Sequence, residues 1–481
     1  MNLRPHEGLT FDDVLLVPKR SRIRSRFAVN TRARFTHNIS LAVPIVSSNM
    51  DTVTESAMAI AMARAGGIGV IHRFMTIERQ AHEVSRVKRA ESMMVEHPRS
   101  VTPNSTVQHA RDMMRDHGIG GLVVLNEAGD LLGLVTTRDI MFEKDADKRV
   151  KDVMTPREKL ITVRAGTSLD DSRELLHANR LEKLPVVDDR NKLVGLITSQ
   201  DLVKAEESPD ATKDKHGRLR VAVAVGVKND DLDRAEACID AGADAIVVDI
   251  AHGHADFALD MVHALKKRFP KVDVVGGNVA TAEGVRDMVS AGADAVKIGV
   301  GAGSICITRI VTGFGVPQLT AIAECAEAGH ELKVPIIADG GIRTGGDLTK
   351  AIAAGASTAM IGSLLAGTDE SPGKAVVRDG RRVKIVRGMA SFSANIERRE
   401  VELRREVDPA DWEKVVPEGV EAIVPVRGPA KDILFQLVGG LRSGLSYAGA
   451  ATIEELWQNA EFMRITDAGK HESGSHDVEK I

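Results

Sequence analysis

The segment Gly301-Ala-Gly303-Ser304-Ile-Cys306-Ile-Thr308-Arg309 gathers a thiol, two hydroxyls and a guanidinium in one glycine-rich turn, directly after the apolar run Ala295-Val-Lys-Ile-Gly-Val300. A strand ending in such a turn presents a soft nucleophile beside backbone amides and carbonyls, which is how a covalent catalyst is built. A lone cysteine also serves as a small buried hydrophobe, so Cys306 by itself leaves both readings open.

Polar residues recur where other apolar runs end. Ser48-Asn49-Met50-Asp51 follows Pro44-Ile-Val46, Asp249 follows Ile246-Val-Val, and Asn278 follows Val274-Val-Gly-Gly. Asp339-Gly340-Gly341 follows Pro335-Ile-Ile-Ala, and Gly362-Ser363 follows Ala359-Met-Ile. Glycine turns offer N–H groups to a phosphate, and an adjacent Asp accepts ribose hydroxyls; a nucleotide monophosphate fits this pattern. Glycines in such turns are also routine steric necessities.

The elements that must hold these residues follow from the spacing of β-branched runs. Pro44-Ile-Val, Gly67–Ile71, Val221–Val225, Ala245–Val248, Val272–Val275, Ala295–Ile298, Val334–Ile337 and Thr358–Ile361 alternate with Ala-rich helical stretches such as Asp231–Ala241 and Glu283–Ala291. Eight strands separated by helices predict an α/β chain, a parallel (β/α)8 TIM barrel, with active residues at the C-terminal strand ends. Aromatics make up only 3% of the chain, so Val, Ile, Leu, Met and Ala must fill the interior.

A repeat interrupts this pattern. Val101-Thr-Pro-Asn-Ser-Thr106 through Gly133-Leu-Val-Thr136-Thr-Arg-Asp139-Ile matches Val163-Arg-Ala-Gly-Thr-Ser168 through Gly195-Leu-Ile-Thr198-Ser-Gln-Asp201-Leu at an offset of 62 residues. Each copy predicts a helix (Val107–Asp116, Leu169–Ala178), two short strands and a final helix opened by Thr-x-x-Asp. The barrel thus spans residues 1–93 and 208–481, and an inserted domain spans 94–207, with repeats at about 95–142 and 150–204. The pair resembles tandem CBS modules (a Bateman domain), whose relatives often bind adenine or guanine nucleotides. That resemblance implies regulatory purine nucleotides, with Thr136, Asp139, Thr198 and Asp201 as ribose contacts; the same residues also read as plain helix caps.

Composition narrows the partners. The 481 residues carry a net charge of -4 with both signs interspersed, which favours small molecules over nucleic acid or an anionic membrane. Cys238, Cys306 and Cys325 lack metal-type spacing and point to a reducing compartment. With no apolar signal core near Met1 and no run of membrane-spanning length, a soluble cytoplasmic protein is expected.

Over nearly its whole length the chain resembles the IMP dehydrogenase/GMP reductase family. The matching segments are Leu9–Pro18, Met50–Glu55, Gly303–Thr308, Ala338–Arg343, Gly362–Gly367, Arg387–Met389, Val416–Gly419 and Gly439–Ser443. The resemblance implies that the Cys306 thiolate adds to C2 of a purine, with hydride passing between C2 and a nicotinamide. It implies Thr308 as the thiol's assistant, Ser304, Gly388 and Met389 on base and phosphate, Asp339 on the ribose, and Glu418 on the purine edge. Ser48, Met50, Gly340, Gly341, Gly362 and Ser363 complete the expected nucleotide site. Asp249, Asn278, Gly299, Val300 and Gly301 are expected at the NAD site. Carbonyls of Gly301, Gly303 and Cys306 resemble the family's potassium site, completed by Glu472, Ser473 and Gly474 of a neighbouring subunit, which implies a homo-oligomer, a tetramer.

The family's branches differ after the thioimidate forms. A dehydrogenase hydrolyses it with a general base from a flap, here about residues 386–425, that carries an Arg-Tyr pair; a reductase expels ammonia and accepts hydride. The register back from Pro417 places Arg404 and Arg405 at that pair, and the only tyrosine, Tyr447, lies elsewhere. Arg404 is therefore the candidate base, unless the charged run Glu397–Glu406 is simply a solvated helix. Asn49, Ala251, Thr312 and Ala390 resemble the reductase branch, and Val386 replaces a tyrosine that usually reaches the phosphate. Met50–Glu55, the long flap, Gly362–Gly373 and Glu472–Asp477 resemble bacterial-type dehydrogenases. On balance the expected activity is NAD-dependent oxidation of IMP to XMP, with NADPH-dependent reduction of GMP as the alternative. A silent nucleotide sensor is disfavoured by the intact Cys306-Ile-Thr308.

Overall fold

A computed structural model describes residues 3–91, 94–96, 98–200, 202–203, 208–228, 230–403, 412 and 415–474, apart from the side chains of residues 169 and 401–403. The chain divides into two compact units, one formed by Met1–Ala90, Asp210–Lys213 and Leu219–Ile481, the other by Glu91–Pro209 and Asp214–Arg218.

In the first unit the β-branched runs form β1 (Ile45–Ser47), β2 (Ile68–Ile71), β3 (Ala222–Val225), β4 (Ala245–Val248), β5 (Asp273–Val279), β6 (Ala295–Ile298), β7 (Ile336–Asp339) and β8 (Thr358–Ile361). They close into one barrel, each parallel to its neighbours, with β8 pairing back onto β1. These strands are buried on both faces, which explains their continuous apolar composition. The interior is filled by Val46, Ile68, Ala222, Ala224, Ala245, Val247, Val275, Ala295, Ile337 and Met360. Phe35, Ile39 and Leu41 join the same core from a hairpin formed by Ala33–Arg34 and Ser40–Leu41. Thr36 and Asn38 tie that hairpin to Asp273, at the start of β5. The polar residues of interest therefore lie at the opposite, C-terminal ends of the strands.

Helices cover the outside. Among them are α1 (Ser56–Arg64), α2 (Ile77–Ala90), α3 (Asp230–Asp240), α4 (Asp256–Arg268), α5 (Ala282–Ser290), α6 (Gln318–Glu331) and α7 (Gly345–Ala353). Thr281 and Thr344 start α5 and α7 by accepting N–H bonds from Gly284 and Asp347, capping otherwise orphaned donors. After β8 comes a three-stranded antiparallel sheet, β9 (Val376–Arg378), β10 (Arg381–Arg387) and β11 (Glu421–Pro425). Between β10 and β11 runs the flap, opening with α8 (Phe392–Leu403).

The second unit holds two copies of one pattern. A helix (Val107–His117) packs on a sheet of Ser100–Val101, Gly121–Leu125, Leu131–Thr136 and Thr155–Pro156; a second (Leu169–Ala178) packs on Val163–Arg164, Lys183–Val187 and Leu193–Thr198. Val123, Leu131, Leu134, Val187 and Leu196 join the copies. Thr136 and Asp139 form a reciprocal capping box, with the Thr136 N–H 2.7 Å from the carboxylate. Asp201 lies outside the described residues.

Candidate active site

Cys306 sits in the turn after β6, half-buried, with its sulfur 3.2 Å from Thr308 Oγ1. The other two thiols are different: burial pushes both Cys238 and Cys325 up to about 12, leaving them inert at neutral pH. The Cys306 loop is stitched to the stems of the flap by main-chain bonds. Ile307 N–H donates to Glu418 O, Val420 N–H to Ile305 O, and Gly388 N–H to Val420 O. Such close packing favours glycine at 388, where a Cβ would make a tight contact of 3.2 Å with Gly419 Cα. The Cys306 loop and the segments before and after α8 are thus one hydrogen-bonded assembly.

A cavity of about 410 Å³ opens above Cys306. Of the sequence-predicted residues it brings together Ser48, Met50, Asp249, Asn278, Gly299, Gly301, Gly303, Cys306, Thr308, Asp339, Gly340, Gly388, Met389 and Glu418. Gly362 packs against Ser48 and Met50 of this wall, where a Cβ would come to 3.1 Å from Ser48 Oγ and 3.2 Å from Met50 Sδ. Ser304, Val300 and Gly341 neighbour lining residues in the chain without lining the cavity themselves, and Ser363, the first residue of a short helix after Gly362, does not line it either. Glu472, Ser473 and Gly474 are exposed at the end of a C-terminal helix and are not in the cavity wall. Arg404 and Arg405 lie outside the described residues.

Beneath the cavity floor is a polar network. Asp339 Oδ2 accepts from Lys297 Nζ at 2.8 Å and from Asn278 Nδ2 at 2.9 Å, while Asn278 also donates to Gly299 O at 2.8 Å. Lys297 Nζ bonds Asn278 Oδ1 as well. Gln318, buried on α6, donates to Asp339 O at 3.0 Å and Ile298 O at 3.1 Å. Gly299 has φ +147°, and a Cβ there would come within 2.1 Å of Asp339 O; only glycine allows the two strand ends to meet this closely. Asn278, expected at the cofactor, lines the cavity and is bonded to the Asp339 carboxylate.

Among the lining residues not anticipated from sequence are Lys297, Arg73, Phe74 and Arg398. Lys297 carried a signal, a charge inside an otherwise apolar strand. Arg73 Nε lies 3.7 Å from Asp249. Arg398 reaches the cavity from α8, whose position depends on Glu397: its carboxylate pairs with Arg387, which also holds Asp51. The Arg387 hydrogen bond keeps the Glu397 carboxyl below the usual carboxylate range, despite an opposing effect of burial. No helix among the described residues is long and apolar enough to cross a membrane.

Comparison with known proteins agrees with this geometry. The IMP dehydrogenase / GMP reductase domain matches residues 8–476. Inosine-5'-monophosphate dehydrogenase of Nitrosopumilus maritimus is 53% identical over 98% of both chains. GMP reductase of Leishmania donovani is 49% identical over 99% of this chain and 98% of its own. Among solved structures, a cysteine-to-alanine variant of GMP reductase from Trypanosoma brucei, in complex with guanosine 5'-monophosphate, superposes with a TM-score of 0.90 at 47% identity, covering 98% of each chain. With a cysteine-bearing loop at a barrel strand end and matches along almost the entire chain, this protein belongs to the IMP dehydrogenase/GMP reductase family of oxidoreductases.

Proposed function

We propose that the chain is a GMP reductase, converting GMP to IMP and ammonia with NADPH through a covalent intermediate on Cys306. The observation that carries this direction is the flap's composition: with one tyrosine in the chain, Tyr447 on the helix Ala430–Ala448, no Arg-Tyr pair exists to activate water. The groups a reductase needs, Cys306, Thr308 and Glu418, all line the cavity. The GMP reductases of two other organisms, alike in sequence or structure over the full length, support the same direction.

In this reading the Cys306 thiolate attacks C2 of guanine, and the C2–N bond breaks as ammonia leaves with a proton. Thr308, 3.2 Å from the sulfur, relays protons between the thiol and the leaving groups. Asp249 and the Gly299–Gly301 turn would hold a nicotinamide, which would supply the hydride that C2 accepts. The C2–S bond then breaks, returning the thiolate and releasing IMP; cysteine suits both steps because it attacks and leaves well. Glu418 accepts from the purine N1–H, and Asp339 accepts from the ribose. Ser304, Gly340, Gly341, Gly362, Ser363, Gly388 and Met389 surround the phosphate and base.

A potassium ion fits the nucleophile's loop. The carbonyls of Gly301 and Cys306 accept no backbone hydrogen bond among the described residues, so their lone pairs are available to a weakly charged cation, while Gly303 O accepts from Cys306 N–H at 3.1 Å. Glu472, Ser473 and Gly474 would reach the same ion from a neighbour in a homotetramer, a role compatible with their exposure. The repeated second unit would act as a CBS pair binding regulatory purine nucleotides. Buried free thiols at Cys238 and Cys325 are consistent with the cytoplasm.

A second reading, NAD-dependent oxidation of IMP to XMP, is favoured by the 53% identity to a dehydrogenase and by the Met50–Glu55 segment. Absorbance at the nicotinamide band decides between them with four mixtures: GMP with NADPH or NADH, and IMP with NAD or NADP. Oxidation of NADPH dependent on GMP is expected. Reduction of NAD with IMP, and no signal with GMP, would replace the proposal by the second reading.

A further inference from the structure

We infer that Lys297 is a positioning residue that aims the Asp339 carboxylate at the sugar and so sets a preference for ribose over 2'-deoxyribose. The inference rests on Asp339 being the ribose acceptor. Lys297 lies in the middle of β6 with its side chain only 3% exposed, between Val296 and Ile298, which are fully buried. An ammonium in that position carries a large desolvation cost that an aliphatic side chain would avoid, so a barrel wall needing only to be filled would not contain it.

What the lysine does is visible in the bonds around Asp339. Oδ2 receives two donors, Lys297 at 2.8 Å and Asn278 at 2.9 Å. Oδ1 accepts no hydrogen bond among the described residues, and Asp339 lines the cavity. Asn278 cannot rotate to disturb this, because its amide nitrogen also serves Gly299 O and its oxygen faces Lys297. Gln318 fixes the main chain of Asp339 from the other side. The carboxylate is therefore held with one oxygen receiving two donors and the other left without a protein partner among the described residues, on a residue that lines the cavity. A sugar hydroxyl that donates to Oδ1 satisfies a fixed anionic acceptor; a sugar lacking it leaves that acceptor short, a type of mismatch that binding sites reject strongly.

The test compares the nucleotide that turns over, GMP or IMP, with its 2'-deoxy form. The parent enzyme is expected to show a KM at least about tenfold higher for the deoxy nucleotide. Lys297→Met should raise KM for the ribonucleotide by about tenfold or more while changing KM for the deoxy nucleotide less than about threefold, so discrimination collapses. Lys297→Arg should recover part of it. If Lys297→Met does not give folded protein, Asn278→Ala removes the other donor to Oδ2 and should produce the same collapse. Equal increases in both KM values, or no change in either, would overturn the inference. Asp339→Ala separates the two levels: if it leaves KM for the ribonucleotide unchanged, the ribose role of Asp339 falls, and the inference with it.

Discussion

Thr308 Oγ1 stands 3.2 Å from Cys306 Sγ, within reach for either atom to donate. In the covalent reading this thiol and hydroxyl are a nucleophile and its proton relay, whereas Cys238, a cysteine that serves as core, is fully buried. Cys306→Ser is therefore expected to lower turnover by at least about a thousandfold with the melting temperature unchanged, because it removes the covalent route and no packing contact. Thr308→Ala should lower kcat by about tenfold to a hundredfold with KM little altered. Near-normal turnover in a folded Cys306→Ser protein would contradict covalent catalysis.

Much of this arrangement could be read from the sequence, for a physical reason. Strands buried on both faces must be continuous apolar runs, so all eight barrel strands stand out, and their polar successors Ser48, Asp249, Cys306 and Asp339 fall at strand ends. What the sequence hid is contact between distant segments. Nothing local reveals that Lys297 and Asn278 share one oxygen of Asp339, or that Glu397 reaches Arg387 and so brings Arg398 to the cavity.

The flap supplies a prediction that distinguishes the two directions. Expulsion of ammonia requires no activated water, so Arg404→Gln should leave GMP-dependent oxidation of NADPH within about threefold of the parent. Were the protein a dehydrogenase with Arg404 as base, the same variant mixed rapidly with IMP and NAD would give a burst of about one NADH per site and then a slow steady state. Observing that burst would refute the reductase reading.

Acid stability should depend on Asp12. Hydrogen bonding to Arg343 lowers its carboxyl from 3.8 to about 2, with Lys470 assisting against the effect of burial. Since the folded value lies below the unfolded one, the stabilisation is complete above about pH 4 and is lost as pH falls towards 2. The partners are partly exposed, so solvent screening limits the effect to about 1 kcal/mol. Asp12→Asn should lower the melting temperature at pH 7 by a few degrees, with the difference from the parent vanishing near pH 2. A difference that grows on acidification would have the wrong sign.

The second unit should be separable from catalysis. Its cores, around Val107, Leu122 and Val150 in one copy and Leu176, Leu184 and Ile197 in the other, are distinct from the clusters that pack the barrel. All the residues that line the cavity above Cys306 come from the barrel unit, so removal of the insertion takes away no part of that wall. Replacing residues 94–207 by a short linker is expected to leave turnover within about threefold of the parent, because each unit carries its own core. Responses of the full chain to added purine nucleoside triphosphates should disappear in the deletion, since coupling requires the site that binds them. Steady-state rates of both proteins, measured with and without triphosphate and alongside their assembly state, check this. A deletion that folds and assembles normally but has lost all activity would show that the insertion contributes to the catalytic site itself.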